Sequence, residues 1–575
     1  MTHRFDRRDF MKTGLAALGA ATAAGLQPAA AQPSTDLPVI YFNGQILTME
    51  GERPQYVPAV AVRGGRIVFV GTRQAALAAV GRAMEVDLQG RTMLPGFIDS
   101  WGHFALFAQQ TLGVNLAYFS EQPPRTKADA IGLLKRTKPF NGWVIGYGIV
   151  DTQLSDGPLT LADLDAAFPD LPVMVSTLST LTGQVNTAGM NRLGLTPQTP
   201  VTQPGQIVKD PATGRLTGEL LFTPFLAARA QAVGRYTQAQ ALQTFQAAQA
   251  LLAAQGYTTV QSYQLTPDDV ANLRAAFDQG ALALDVIGMP SVSDEATGRI
   301  VQQADWRWGA YSHGDRGLKI PGFQVATDAA PQLGLAAFSQ PYADAPGFPK
   351  GWKGVLIAQD QVERWVRYAY EQDIQLFLYS NGDAGIDLGL GAIEKAIAAT
   401  GKTGDRRTVI AHSYFVRPDQ LDRYRQHHVG ASMMPPHMMV YGEQLMTLLG
   451  PARATMESPL ASALQRGLHT TIHCDCPSAS PNMLQTVGAA VTRRTLAGQV
   501  MGPQERVSPY AALCAATRNV AYTYREEAHK GTISVGKQAD LVILDANPLT
   551  VAPERIQDIR VVETLKRGQT IYRRS

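Results

Sequence analysis

The stretch Leu94-Pro95-Gly96-Phe97-Ile98-Asp99-Ser100-Trp101-Gly102-His103 puts a carboxyl and an imidazole directly after a compact apolar run. Leu94 to Ile98 reads as a buried strand opened by Pro95 and Gly96, and Asp99 to His103 follow where such a strand ends. Imidazole titrates near working pH, so His103 could move a proton or, as the free base, ligate a metal. In parallel β/α architectures chemistry sits at the carboxyl ends of the strands, which makes this strand end the first place to look. A second polar cluster, His473-Cys474-Asp475-Cys476-Pro477, follows the strand-like run His469-Thr470-Thr471-Ile472. Thiolate is a good zinc ligand. Residues alternate along a strand, however, so Cys474 and Cys476 point away from any cavity that Asp475 faces. They read as small buried apolar residues.

These groups need a scaffold, and the hydrophobic pattern supplies one. The strand-like pieces Val39 to Phe42, Ala59 to Val62 and Ile67 to Val70 open the chain, the last two joined by a Gly64-Gly65 turn. The other end is similar, with Ala539 to Leu544 and Val561 to Leu565. Two β-rich ends around a long middle imply one small β-sandwich assembled from both. The middle alternates strand-like runs (Thr258 to Val260, Leu282 to Ile287, Gly322 to Val325, Ile374 to Leu378, Thr408 to Ile410, His469 to Ile472) with helix-like ones such as Thr237 to Gln255. That is the pattern of parallel β/α units. Residues Thr182 to Leu216, rich in Pro, Gly, Thr and Gln, read as a long loop or an excursion over the barrel mouth.

At 575 residues, with 45% hydrophobic and 17% charged residues, the chain is too long for one compact core and has much interior. A net charge of +3 with no long basic run gives no footing for nucleic acid. Three cysteines exclude a disulfide scaffold. The amino terminus reads as a targeting segment over residues 1–31. Asp6-Arg7-Arg8-Asp9-Phe10-Met11-Lys12 resembles a twin-arginine export motif, the apolar run Thr13 to Leu26 follows, and Ala29-Ala30-Ala31 offers a cleavage site. That run is too short to span a bilayer. The expectation is a periplasmic protein that meets the twin-arginine machinery, makes no stable membrane insertion and assembles, by default, as a homodimer.

The first stretch also resembles the opening barrel strand of the amidohydrolase superfamily, which usually reads P-G-x-I-D-x-H-x-H. Gly531-Thr532-Ile533-Ser534-Val535-Gly536-Lys537-Gln538-Ala539-Asp540-Leu541-Val542 resembles that superfamily's G-x-I-x-x-G-K-x-A-D-L-V signature. Thr564 to Tyr572 is similar to its closing strand. Asn381-Gly382-Asp383, Asp419-Gln420-Leu421 and Val491-Thr492-Arg493-Arg494-Thr495 resemble the N-substituted formamide deformylase-like (YtcJ-like) branch. The resemblance implies an α/β fold, a distorted (β/α)8 TIM barrel with the small β-sandwich built from both chain ends. The expected parts are a sandwich half at 37–90, the barrel at 91–525 and the second sandwich half at 526–575. It also implies hydrolysis through one or two divalent metals that activate water.

Against that family pattern, the metal positions are partly replaced. His103, His412 and Asp475 stand at three of the six usual ligand positions, while Trp101, Gln324 and Tyr379 stand at the other three. Leu181 and Phe222 replace a histidine and a glutamate expected near the substrate, and Asp328 keeps the aspartate of the motif that Gln324 opens. His437, in Pro435-Pro436-His437, resembles a family loop histidine.

Two enzymatic readings follow, and a third without catalysis. In the favoured one no cofactor is used. His103 or His412, oriented by Asp475, is the general base, and Tyr379 donates to a developing oxyanion. Trp101, Leu181, Phe222, Gln324, Asp328, Met433 and His437 form a partly apolar substrate wall. The bond cleaved is then amide-, ester- or lactone-like, with elimination or isomerisation open to the same groups. The alternative is a single zinc-type metal on His103, His412 and Asp475. The last is a binding protein that keeps the cavity without catalysis.

Overall fold

The computed structural model describes residues 37–201, 205–235 and 237–575, so the expected export segment lies outside the described residues. Packing divides them into two compact units: residues 106–248 with 476–480, and residues 37–105, 249–475 and 481–575. No helix among the described residues is long and apolar enough to cross a membrane.

In the larger unit both chain ends enter one sheet. Val39–Leu47 pairs antiparallel with Tyr56–Arg63 and parallel with Met84–Asp87 and Thr92–Pro95. Thr92–Pro95 pairs on its other edge with Leu541–Leu544, which leads on to Val561–Lys566 and Gln569–Arg573. The joining of the two ends is as expected, but the expected sandwich is not found. Thr92–Pro95 hydrogen-bonds to strands of both ends, so all eight strands form a single sheet. Ile46, Val60, Met93, Ile533, Leu541 and Leu565 make its core.

The rest of this unit carries parallel strands in chain order: β1 (Phe97–Ile98), β2 (Tyr257–Tyr263), β3 (Asp285–Met289), β4 (Ser291–Val292), β5 (Arg316–Lys319), β6 (Gly322–Ala326), β7 (Gln375–Ser380), β8 (Val409–His412), β9 (Gly430–Met433) and β10 (Thr470–Ile472). They form two ladders, β1-β2-β3-β5 and β4-β6-β7-β8-β9-β10. Pro290 separates β3 from β4 and Pro321 falls between β5 and β6, and proline cannot donate to a ladder. The two ladders are therefore one succession of eight strands broken twice, and Gln324 N–H bridges the break to the Pro290 carbonyl at 2.9 Å. No backbone ladder joins β10 to β1 among the described residues. The Ser100 hydroxyl stands there instead, 3.1 Å from both Ser432 Oγ and the Ile472 carbonyl.

Beneath the strand starts lies a buried charge network. Asp285, which opens β3, accepts from Lys530 Nζ at 2.5 Å and Lys566 Nζ at 2.7 Å, and Lys566 also reaches Asp540 at 2.6 Å. Burial would raise the Asp285 carboxyl, but the two ammonium groups outweigh it and hold it far below the usual carboxylate range. Lys530, Lys566 and Asp540 come from the carboxyl-terminal segment, so the network fastens the shared sheet to the strand starts.

The smaller unit holds a six-stranded sheet in the order Gly205–Lys209, Leu216–Phe222, Thr182–Val185, Val173–Thr177, Val144–Ile149, Val114–Asn115. The segment from Thr182 to Leu216 thus carries the strands Thr182–Val185 and Gly205–Lys209 and the helix Thr187–Leu193 rather than being one long loop. Its turn-forming residues fall between these short elements, which hides them from a compositional reading.

Candidate active site

The turn after β1 is clamped by β2. Gly102 N–H donates to Gln261 Oε1 at 2.7 Å, and Tyr263 N–H donates to the Gly102 carbonyl at 2.9 Å. A Cβ at Gly102 would lie 2.0 Å from Asp99 Oδ2, so only glycine lets this turn close. The turn delivers His103 to Asp475, which follows β10: His103 Nε2 is 3.1 Å from Asp475 Oδ1. The side chains keep 12% and 14% of their surface exposed, so the pair is reachable from solvent. At this distance Asp475 stands beside the imidazole as a group that could orient it.

Trp101 is fully buried, among Ile98, Ile287, Phe377 and Ala411 of the strand interiors. Its ring lies 4.8 Å from Tyr263, 5.5 Å from His412, 6.3 Å from Tyr379 and 6.5 Å from His473, centroid to centroid. The indole fills the centre of the strand ends, and its N–H has no hydrogen-bond partner. Tyr263 also packs edge-on against His103 at 4.9 Å.

Behind the dyad the histidines are dry. Burial holds His412 neutral, far below the usual imidazole range, and His473, His437 and His103 add to this against the opposing charge of Asp475. Its Nδ1 is unpartnered. His473 is fully buried with neither ring nitrogen hydrogen-bonded, and burial takes it down to about 3, the Ser432 backbone offsetting this only in part. Burial also raises Tyr379 well above the usual phenol range, with the charges of Asp328 and Asp475 adding, and takes Tyr263 to about 12. Both phenols stay protonated.

The neutrality of His473 has a pH signature. Its folded value of about 3 lies below the ordinary 6.5, so its contribution to stability is complete above pH 6.5 and lost as pH falls towards 3. The loss approaches about 1.4 kcal/mol per pH unit. His473→Gln is expected to flatten the acid side of the stability profile by one proton, read in denaturation midpoints between pH 6.5 and 4. An unchanged slope would mean the imidazole charges freely in the fold.

The other expected site residues are distributed as follows. Gln324 is fully buried in β6, its Oε1 taking Ser291 Oγ–H at 2.7 Å and its Nε2 unpartnered. Asp328 accepts N–H groups from Asn381 (2.9 Å), Gly382 (2.7 Å) and Ala337 (3.1 Å), and the Asn381 amide at 2.9 Å. These bonds bind the start of the helix Asp383–Thr400 to β6, and burial still raises the carboxyl to about 7. Met433 is buried at the end of β9, its carbonyl accepting His473 N–H at 3.0 Å. His437 Nδ1 meets the buried Glu457 at 2.6 Å and its Nε2 meets Gln332 Oε1 at 3.0 Å. Its ring stacks on Tyr414 at 4.3 Å, and Tyr414 stacks on His412 at 5.0 Å. Leu181 and Phe222 belong to the smaller unit, where Phe222 N–H donates to the Leu181 carbonyl at 2.8 Å.

Tyr263 and Tyr414 escaped the sequence reading. His473 had a legible signal: it sits two residues before Asp475, on the same side of the chain by strand alternation.

A divalent metal of the kind the family implies does not fit these donors. Of the six positions, three carry an indole, an amide and a phenol. His103 Nε2 is engaged by Asp475, and among the described residues no three His, Cys, Asp or Glu side chains converge as an ion requires.

The model of the amidohydrolase family matches residues 84–572. The chain is 26% identical over 549 residues to the amidohydrolase YtcJ of Bacillus subtilis (strain 168), covering 93% of this chain and 99% of that protein. It is 24% identical over 551 residues to the N-substituted formamide deformylase of Arthrobacter pascens, covering 93% and 98%. Among solved structures, a metal-dependent hydrolase from Pyrococcus furiosus shares the fold, with a TM-score of 0.70 at 23% identity, over 89% of this chain and 100% of that one. A family match over most of the chain, together with the eight parallel strands and the His103–Asp475 pair at their ends, makes this chain a member of the amidohydrolase family of hydrolases.

Proposed function

We propose that the protein hydrolyses an amide-, ester- or lactone-like bond in a small, partly aromatic molecule without a metal, using His103 and Asp475 as its acid–base pair. The observation that carries this reading is the 3.1 Å contact between His103 Nε2 and Asp475 Oδ1, with His103 Nδ1 left to act. Nδ1 takes a proton from a water as that water attacks the substrate carbonyl. Tyr379, held protonated, donates to the oxyanion that forms. The imidazolium, stabilised by Asp475, then gives the same proton to the departing amine or alkoxide as the tetrahedral intermediate collapses. Tyr263 and Tyr379, backed by Trp101, offer an aromatic surface beside the pair. Among relatives, the name N-substituted formamide deformylase favours the amide end of this range. A closed (β/α)8 ring is part of the same proposal, supported by the order of the strands. So is export through the twin-arginine machinery to the periplasm, supported by Arg7-Arg8 and the run behind them.

The test is a panel of N-aryl formamides, aryl esters and lactones assayed with the wild-type protein and His103→Ala. Turnover of at least one class, abolished by the substitution, is expected. Equal turnover in both proteins would remove His103 from the chemistry. Tyr379→Phe is expected to lower kcat by about 10²–10³-fold, the usual effect of losing one oxyanion donor, with KM little changed. A rise in KM at constant kcat would instead make Tyr379 a ground-state contact.

A further inference from the structure

Within the smaller unit, Arg229 is a largely buried charged side chain with no counter-ion among the described residues. Arg229 projects from the helix Thr223–Val233, deeply sunk in the unit yet with part of its surface open. Its Nη1 donates to the Thr180 carbonyl at 3.1 Å. Among the described residues its guanidinium makes no other hydrogen bond and no ion pair, and burial alone, with no carboxylate acting on it, draws it down to about 10. Buried guanidinium groups are as a rule paired, because an isolated buried charge is costly. Arginine also presents a fork of N–H donors suited to carboxylate and phosphate.

The surroundings keep that fork uncompensated. Residues 177–182 form a tight turn of hydroxyl-bearing residues without an acid: Thr177 Oγ1 is 2.9 Å from Ser179 Oγ and 2.7 Å from Thr182 Oγ1. Thr180 adopts φ +62° and Phe222 φ +56°, both left-handed and both costly for side chains of this kind. Strain of this sort is kept where the surrounding structure needs it. The strained turn presents its carbonyl to Arg229, and Leu181 and Phe222 lie next to it as apolar neighbours.

We propose that residues 106–248 carry an oxyanion site centred on Arg229, taking a small carboxylate or phosphate. The guanidinium is a cation held in advance for that ligand.

The test uses the full-length protein in thermal unfolding and calorimetric titration with sodium phosphate, acetate and benzoate against chloride at equal ionic strength. Wild type should gain a few degrees in Tm with at least one oxyanion, and Arg229→Gln should lose the gain and weaken binding by about tenfold or more. Without oxyanion, Arg229→Gln should melt no lower than wild type, because it removes an unpaired charge. Phosphate alone active, or benzoate tighter than acetate, would assign the anion as phosphate or as a carboxylate on an apolar body. No response in wild type, or an equal response in Arg229→Gln, overturns the site. If Arg229→Gln does not fold, Arg229→Lys carries the test: it keeps the charge without the fork, and undiminished carboxylate affinity in it overturns the site too.

Discussion

Asp475→Asn is expected to lower kcat/KM by about 10³–10⁴-fold while leaving the fold intact. The size follows from what the carboxylate does. In the proposed mechanism the carboxylate, 3.1 Å from His103 Nε2, would accept the N–H, fix the tautomer that leaves Nδ1 basic and stabilise the imidazolium formed when Nδ1 takes a proton. An asparagine amide in the same place can donate to Nε2 instead, turning the proton to Nδ1 and removing the base. No other group takes over. His412 and His473 stand close behind, but burial keeps both neutral and unreactive as bases near pH 7. Steady-state kinetics on a substrate found in the panel, with circular dichroism to confirm the fold, is the measurement. A loss under about tenfold would make the contact structural.

The largest effect on stability is expected at Asp285→Ala. Asp285 sits between Lys530 and Lys566 with all three side chains essentially buried, at 1%, 1% and 3% exposure. Removing the carboxylate leaves two ammonium groups in the interior with Asp540 as the remaining close acid, reached by Lys566 at 2.6 Å. Breaking a buried pair by deleting one partner costs about 3–5 kcal/mol, because the partner left behind stays desolvated. The urea midpoint of the larger unit should fall accordingly, or the variant should fail to accumulate. A change within about 0.5 kcal/mol, the range of ordinary surface substitutions, would mean the network is solvated and does not fasten the sheet to the strand starts.

Much of the scaffold is legible in the sequence because it is periodic. The runs at Ile374 to Leu378 and Thr408 to Ile410 are apolar enough to announce buried parallel strands with a polar residue beyond each end, whereas Leu94 to Ile98 divides between Thr92–Pro95 of the shared sheet and β1. His103, His412, Asp475 and Tyr379 accordingly stand where strand ends put them, and Trp101 packs among Ile98, Ile287, Phe377 and Ala411 of the strand interiors. What pattern cannot carry is pairing between distant segments. The eight-stranded sheet is single because Thr92–Pro95 bonds to both ends of the chain, and no local residue pattern encodes that. Asp328 illustrates the same limit. Its spacing marks it as a polar group near a strand end, yet its four hydrogen-bond donors, all from Ala337, Asn381 and Gly382, make it a clamp on a helix start. Tyr263 and Tyr414 went unnoticed because a tyrosine at a strand end is commonplace until the ring it faces is known. Arg229 carries no signal in sequence at all, since the missing counter-ion is a property of three-dimensional surroundings.

The replacements at Trp101, Gln324 and Tyr379 are connected by packing. The indole fills the middle of the strand ends, Gln324 is fixed through Ser291, and Tyr379 lies against both Trp101 and His412. On the proposed reading these replacements turn a place for ions into an aromatic and amide interior with one solvent-reachable acid–base pair. The most direct test of that claim measures metal content and turnover on one sample. The protein is purified without added metal, analysed by elemental mass spectrometry, and assayed before and after prolonged chelation. The account expects divalent metal far below one ion per chain and the same kcat/KM on both sides of chelation. Metal near one ion per chain, with activity lost to the chelator and restored by zinc, would contradict it.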